Sequence, residues 1–544
     1  MFNWKEFEKT KQVLSHVGGR RYRDDWGQHH LTVRPTELID WIELIKEDLN
    51  YLTLAEIAAV ENNIDKEYRF ELVYHFLNMG THQRLNLHLL VNEGEIIPSV
   101  KNYYLQADWM EREQAEMLGL TFDRPTPALL LPEGQKNFPL RKKSEVKTWP
   151  EERPLEFPKL RMNPNKSEAP YPEESYQWKQ FDIFSPVSAG NFEWSVCFDP
   201  VKVVDTRLRV GFHHQGLELF LQNKDILQVL QLADKINISA APNYSIAWAK
   251  TIEEMFRIKI PERAQAIRIV MLELARIADH LTVLAEICRN AGQSEFTLFI
   301  NAREKINELF EKFCGHRQGL GIARIGGVKE DLPHGWIVEY QAVAEILSKN
   351  LPVIHKSLIG QNNFRSHTDG DPVNAQSVLQ WGVTGPTMRA AGLNFDLRKS
   401  QPFYFYQDID FDIPVGIHGA IYDRYLIRYE EIHQSFRIIT QVIDNLPLGD
   451  FINGMYDKNY VELLKLFEGA DAPTQWHYGA LETSNGEAGF LLNFNGTPKP
   501  ARIKLKTPSF AVAQALQVFA KGLREDQLAT CLASLNLSRW EMDR

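Results

Sequence analysis

The sequence predicts an α+β protein in two parts, a small α/β domain and a large helical bundle with a flanking β-sheet, joined by a proline-rich linker. Three observations predict it. Two neighbouring stretches, "YRFELVYHFLN" and "QRLNLHLLVN", alternate apolar and polar residues, the period of strands with one inward face. Ten of the 27 prolines crowd between Pro125 and Pro172. Proline fixes φ and lacks an N–H, so no long helix or central strand survives there. Beyond them, "PERAQAIRIVMLELARIADHLTVLAEICRN" repeats apolar residues every three or four positions (Ile267, Met271, Leu274, Ala278, Leu281, Leu284). That is one stripe of a helix about 45 Å long at ~1.5 Å per residue.

The expected boundaries are a first domain over residues 1–123, a linker over 124–178 and a second domain over 179–544. In the first, "ELIDWIELIKEDL" has helical spacing, the two strands follow, and "ADWMEREQAEMLGL" returns to the helical period. Glu111, Arg112, Glu113 and Glu116 fall within two turns of that last segment. A solvated helix face is the simple account of them, which charge patterning alone leaves open. In the second domain, "FEWSVCF" and "VKVVDTRLRV" read as strands, and further helices are expected at 294–314, 336–358 and 420–446. Such lengths suggest a bundle. Strand patterns return at "GFLLNFNG" and "ARIKLKT", with a turn at Asn495-Gly496.

Composition limits the function. A chain of 544 residues exceeds one ordinary core. The net charge of −10 argues against a nucleic-acid partner, which wants a basic face. No run of apolar residues is long enough to span a bilayer, and "MFNWKEFEKTKQ" has no apolar signal core. The expectation is a protein kept in the cytoplasm that can still dock on a membrane partner. The four cysteines, Cys197, Cys288, Cys314 and Cys531, form no C-x-x-C. A cluster or nickel–iron centre held by this chain alone needs closely spaced thiolates, so neither is expected. "ARIGGVKEDLP", residues 323–333, has paired glycines but neither of the phosphate-loop spacings, and it lies between two helical patterns. It reads as a structural connection.

That loop sits in a longer resemblance. "NAREKINELFEKFCGHRQGLGIARIGGVKEDLPHGW", "VTGPTMRAAGLNFDLRKSQPFYFYQDIDFDIPVG", "YDRYLIRYEE", "NGEAGFLLNFNGTPKPARIKLKTPSF" and the final "EMDR" resemble the D subunit of respiratory complex I, the NADH–quinone oxidoreductase. "FELVYHF", "RLNLHLLV", "IPSV", "ADWMEREQAEMLG" and "FPLRK" resemble the C subunit. The order matches the fused C/D form over nearly the whole chain. The resemblance implies a nickel–iron hydrogenase large-subunit-like fold for the second domain, without the metal. It implies a partner, the B subunit, that carries a terminal 4Fe-4S cluster, with quinone reduced at the interface with it. The I subunit and the membrane-arm subunit at the quinone entrance are implied as further partners, on the cytoplasmic face of the inner membrane. No cofactor is implied for this chain alone.

Reduced quinone oxygen is a strong base and needs a proton donor within hydrogen-bond reach. In the family a histidine on a strand–strand loop and a tyrosine at a helix start face the quinone, and an aspartate partners the histidine. Counting from "GFHHQGLE" and "RIADHL", the histidine falls on Ala189, the tyrosine on Ile238 and the aspartate on Asn290. A second family histidine falls on Ser185, and the arginine of "GFHHQG" on Gln215. Alanine and isoleucine offer no donor, and asparagine does not titrate. His280 and His214 match family histidines, and the resemblance implies that His280 lies near the partner's cluster and tunes it through a hydrogen bond. Tyr244, Ser185 and Ser188 are polar residues near the altered pocket in sequence, where turn and cap roles are the common ones. The alternative is a structural or coupling subunit of a paralogous membrane complex whose quinone site does not function.

Overall fold

The computed structural model describes residues 20–24, 27–61, 67–132, 137–142, 176–183, 185, 191–468, 475–494, 496–497 and 499–544. The first module contains β1 (Arg20–Arg23), β2 (His29–Val33), α1 (Leu38–Glu43), β3 (Thr53–Glu61), β4 (Phe70–Asn78), β5 (Gln83–Val91) and α2 (Ala107–Leu118). Its sheet runs β1-β2-β5-β4-β3. The stretches read as neighbouring strands are β4 and β5, paired antiparallel from Phe70↔Val91 to Asn78↔Gln83. β3 was not legible, because "TLAEIAAVE" lacks a clean alternation.

Period-2 alternation would let the polar face of such a sheet meet water. Here both faces are covered. Leu72, Tyr74 and Phe76 with Leu85, Leu87 and Leu89 pack on the helical side. On the other side Ala58, Val60 and Val73 pack against Trp476, Tyr478 and Leu491 of the second module. The polar residues of that face, His75, Asn86 and His88, are therefore buried.

The charged cluster on α2 is not a solvated face. Glu111 and Glu113 are buried, because cations arrive from far along the chain. Arg124 lies 2.8 Å from both Asp108 and Glu111, and Lys504 Nζ lies 2.6 Å from Glu113. Glu116 accepts the backbone N–H groups of Leu129 at 2.9 Å and Leu130 at 3.0 Å. The chain after α2 is thus pinned along that helix.

The second module opens with β6 (Gln177–Phe181), β7 (Glu193–Asp199) and β8 (Lys202–Arg209), an antiparallel sheet. Then come α3 (Leu217–Gln222), α4 (Ala241–Met255), α5 (Glu262–Asn290), α6 (Phe296–Cys314), α7 (Trp336–Ile359) and α8 (Ile421–Asp444). A second antiparallel sheet, β9 (His477–Thr483), β10 (Gly486–Phe494) and β11 (Pro500–Lys506), precedes α9 (Leu528–Leu535). The long helices fall where periodicity places them. Of the turn expected at Asn495-Gly496, Asn495 lies outside the described residues. No helix of the described residues is long and apolar enough to cross a membrane.

Residues 323–333 connect α6 to α7 through a two-residue strand pair, Ala323–Arg324 with Gly327–Val328. The Gly327 carbonyl accepts from Arg268 at 2.8 Å, and the Gly326 N–H donates to Glu253 at 2.8 Å. A Cβ on Gly327 would collide with the Phe451 carbonyl. The loop's polar groups are spent on its own scaffold.

Gly385 opens the short helix Gly385–Ala390 that carries Arg389. It has φ +73°, and a Cβ there would meet the Asn485 carbonyl and Gly486. Left-handed backbone costs a non-glycine residue about 1–2 kcal/mol before any collision. Gly385→Ala is therefore expected to lower the thermal midpoint, whereas Gly454→Ala, with open space around it, should leave it nearly unchanged.

Candidate functional site

α5 and α8 pack along each other and bring a polar stripe from each into the bundle. On α5 the stripe is Glu273, Arg276 and His280, at helical spacing on one face. On α8 it is Arg428, Glu431 and Ser435. All six are buried. His280 Nε2 lies 2.8 Å from Glu431 Oε2, and Arg428 Nη1 lies 3.2 Å from His280 Nδ1. A guanidinium only donates, so Nδ1 accepts, and Nε2–H donates to Glu431. Burial pushes His280 down to about 4, with Arg428 acting the same way and Glu431 opposing. The ring is neutral near pH 7.

Glu431 also receives Arg389 at 2.7 Å. Arg389 reaches Glu482 at 2.8 Å, and Arg398 spans Glu273 at 3.1 Å and Asp396 at 2.7 Å. Glu273 is further bonded by Tyr406 at 2.7 Å and Ser435 at 2.6 Å. Burial alone would raise Asp396, yet Arg398 and Arg389 hold it down to about 2. Arg389, Arg398 and Arg276 each have a carboxylate partner, as burial demands, whereas Arg428 meets the neutral groups His280, Ser484 and Asn485. Sequence reading missed this lattice. Its only signal was that α5 carries charged residues on the face away from its apolar stripe.

The last four residues of the sequence, Glu541 to Arg544, form a second polar centre. Glu541 accepts from Tyr244 Oη at 3.0 Å, Asn237 Nδ2 at 2.7 Å and Ser509 Oγ at 2.5 Å. Asp543 accepts the N–H groups of Gly211 at 2.9 Å and His213 at 2.8 Å. His214 Nδ1 donates to the main-chain oxygens of Asp543 at 3.0 Å and Arg544 at 2.9 Å. Burial raises Glu541, Asp543 and Tyr244 above their ordinary values. The segment 541–544 therefore clamps the loop 211–214 to the turn before α4.

The carried-over positions fall around this clamp as follows. Ala189 and Ser188 lie outside the described residues. Ile238 begins the turn Ile238–Ala240 and is 44% exposed. It follows Asn237, whose amide holds Glu541. Gln215 and Phe212 are exposed. Asn290 ends α5 and gives its amide to the Ala529 carbonyl at 3.4 Å. The Ser185 N–H closes a turn on the Asp182 carbonyl at 3.0 Å. The Tyr244 hydroxyl is committed to Glu541. His280 is buried with both ring nitrogens engaged inside the chain, so any influence on an outside group passes through Glu431 or Arg428. The structure thus ties Asn237, next to Ile238, and His214 to one clamp and places His280 in a different lattice.

Among the described residues no three His, Cys, Asp or Glu side chains converge as metal ligands. Cys197, Cys288 and Cys531 are buried and Cys314 is partly exposed, each on a separate segment.

A helical bundle with flanking sheets, joined to a small α/β module, is the α+β architecture that the resemblance to the C and D subunits of an oxidoreductase complex implies. Comparison with known proteins agrees. Residues 31–149 match the family described as respiratory-chain NADH dehydrogenase, 30 Kd subunit, and residues 291–544 that described as the 49 Kd subunit. The chain is 34% identical to the C/D subunit of NADH-quinone oxidoreductase from Bdellovibrio bacteriovorus, over 93% of this chain and 95% of that one. It is 26% identical to the C/D subunit of Nitrosospira multiformis (94% and 90%) and 28% identical to that of Shewanella woodyi (94% and 92%). The chain belongs to the fused C/D subunits of NADH–quinone oxidoreductase, respiratory complex I, and assembles with other subunits of that complex.

Proposed function

We propose that this chain docks on the cluster-bearing B subunit, at the cytoplasmic face of the inner membrane, and forms one wall of a quinone pocket whose proton relay has been replaced. The observation that carries this reading is the clamp of residues 541–544. It holds Asn237, next to the exposed Ile238, and His214, two residues from the exposed Phe212. A quinone ring needs an apolar wall and a small number of fixed polar groups. Ile238 and Phe212 supply apolar surface, and His214 Nε2 is an oriented polar atom.

In this reading the chain's own residues position the substrate, exclude water and hold one imidazole. Protons reach the quinone from water or through His214. His280, held neutral, acts on the partner's cluster only through the Glu431–Arg428 lattice. The entrance is completed by the I subunit and the membrane-arm subunit.

The test is made on the purified complex. Ile238→Trp should fill the wall and raise the KM for quinone about tenfold or more, since misplacing a bound reactant by about 1 Å can cost two orders of magnitude. NADH oxidation by a soluble artificial acceptor should be unchanged. His214→Gln should lower the quinone rate. Quinone kinetics unaffected by both changes would remove this surface from the mechanism.

A second reading, a structural or coupling subunit with an inactive quinone site, is favoured by one observation. Asn290 and Tyr244 both spend their polar groups inside the chain, and Ile238 has none. Absence of saturable quinone binding in the purified complex would favour it.

A further inference from the structure

The seam between the two modules holds three buried histidines in one patch of the first module's sheet: His30 on β2, His75 on β4 and His88 on β5. Two of them have carboxylate partners. His88 Nδ1 lies 2.7 Å from Glu71, and His30 Nε2 lies 3.1 Å from Asp24. His30 Nδ1 and His88 Nε2 face each other at 2.8 Å. A proton added to this pair is compensated at either end.

His75 is built differently. Its Nδ1 lies 2.6 Å from Asn86 Oδ1, and Arg84 Nη1 lies 3.1 Å from its Nε2. Arg84 cannot accept, so Nε2 must be bare and Nδ1–H must donate. Arg84 is also a principal tie across the seam. It pairs with Glu487 at 3.0 Å and with Gln401 at 2.9 Å, and it lies 4.7 Å from the centre of the Tyr478 ring. Tyr478 in turn packs on His75, with centroids 4.2 Å apart.

We propose that His75 is a proton-sensitive prop beneath Arg84. A proton on Nε2 replaces the Arg84 contact with cation–cation repulsion, and the seam between the modules loosens. Only an N–H bond forms on His75, taken from solvent, and the seam gains one positive charge. Access is close at hand. A cleft of ≈ 1120 Å³ between the modules is lined by Arg84, His82, Gln28 and Tyr478.

The groups facing His75 oppose its charging from nearly every side. Arg84 on β5 and His30 on β2 act against it, and so does Lys506 on β11. Asn86 on β5 is neutral. Glu56 is its pairing partner on β3, and burial raises Glu56, with Arg544 and Lys504 opposing. Glu487 on β10 is shared with Tyr478 and Arg84. Burial, then Arg84, hold His75 well below the usual histidine range, with Asn86 opposing.

The sign follows. Because the folded value lies below the unfolded one, the unfolded or opened chain binds the extra proton. Stability from the neutral ring is fully present above the ordinary histidine value of about 6.5. It is lost as pH falls below that, toward the folded value.

Hydrogen exchange of the full chain tests this, normalised for the intrinsic effect of pH. Between pH 7 and 5, amides of β4, β5 and β9 should exchange about tenfold faster, while those of α5 should not. His75→Gln keeps both hydrogen bonds without titrating and should abolish the seam response. Asn86→Asp places a carboxylate on Nδ1, raises the folded value toward the open one and should shrink the seam response. If β4, β5, β9 and α5 respond alike, or if Asn86→Asp leaves the seam response undiminished, the proposal is overturned. So is it if a folded His75→Gln chain opens as the parent does.

Discussion

Arg544→Ala is expected to loosen the whole chain by about 3–5 kcal/mol, the cost of stripping one partner from a buried charge cluster. The Arg544 side chain is buried between the modules. It lies 3.3 Å from Glu56 on β3, 3.2 Å from Glu113 on α2, and 3.9 Å from the centre of the Phe510 ring. Lys504 bridges Glu113 and Glu218 at 2.6 and 3.1 Å, and Arg502 meets Glu218 at 2.7 Å. Three carboxylates and three cations from both modules therefore close one lattice. Removing Arg544 leaves Glu56 and Glu113 buried with too little positive charge.

Their folded pKa values then rise above the unfolded carboxylate value. Stability of the variant should be retained below that value and lost as pH climbs through the raised one. Urea unfolding at pH 5 and pH 8 checks this, with the deficit expected to be larger at pH 8. Lys312→Ala is the control, because its pair with Glu339 is half exposed and such pairs contribute about 0–1 kcal/mol. An equal loss in both variants would show that burial of the lattice is not what matters.

Glu431→Ala should cost about 3–5 kcal/mol by the same mechanism, this time inside the bundle. Glu431 is the acceptor for both His280 Nε2–H and Arg389. Its carboxylate is held well below the usual range by Arg389 and His280, although burial pushes the other way. Without it, Arg389 keeps only Glu482 and Asp396 as carboxylate partners, and the neutral ring of His280 loses its acceptor. Glu431→Gln preserves the shape and an acceptor oxygen, and should recover about half of the loss, since a charged hydrogen bond is roughly twice as strong as a neutral one. Calorimetric melting of the three chains measures the order. A Gln variant as unstable as the Ala variant would mean that charge, not geometry, carries the site.

The two lattices explain which expectations failed. "ADWMEREQAEMLGL" is helical as its period says. Glu111 and Glu113 nonetheless left solvent. Their partners, Arg124, Lys504 and Arg544, lie outside that helix, two of them at the far end of the chain. The same holds for His75 and Asn86, which alternate correctly for a strand but face a second sheet instead of water. Of the carried-over site, Ile238 and His214 rest on counting residues from matched motifs. The clamp of residues 541–544 that joins them was legible only as part of the resemblance.

The sequence by itself determined the helices over 262–290, 296–314, 336–359 and 421–444 and the strands β4 and β5, because each depends on local backbone preference or on side-chain period. It also determined, through its long motifs, membership among the fused C/D subunits. Only the tertiary structure decided which charges are buried. A carboxylate's surroundings depend on what folds against it, and the free energy of burying it is offset by cations that no local window contains.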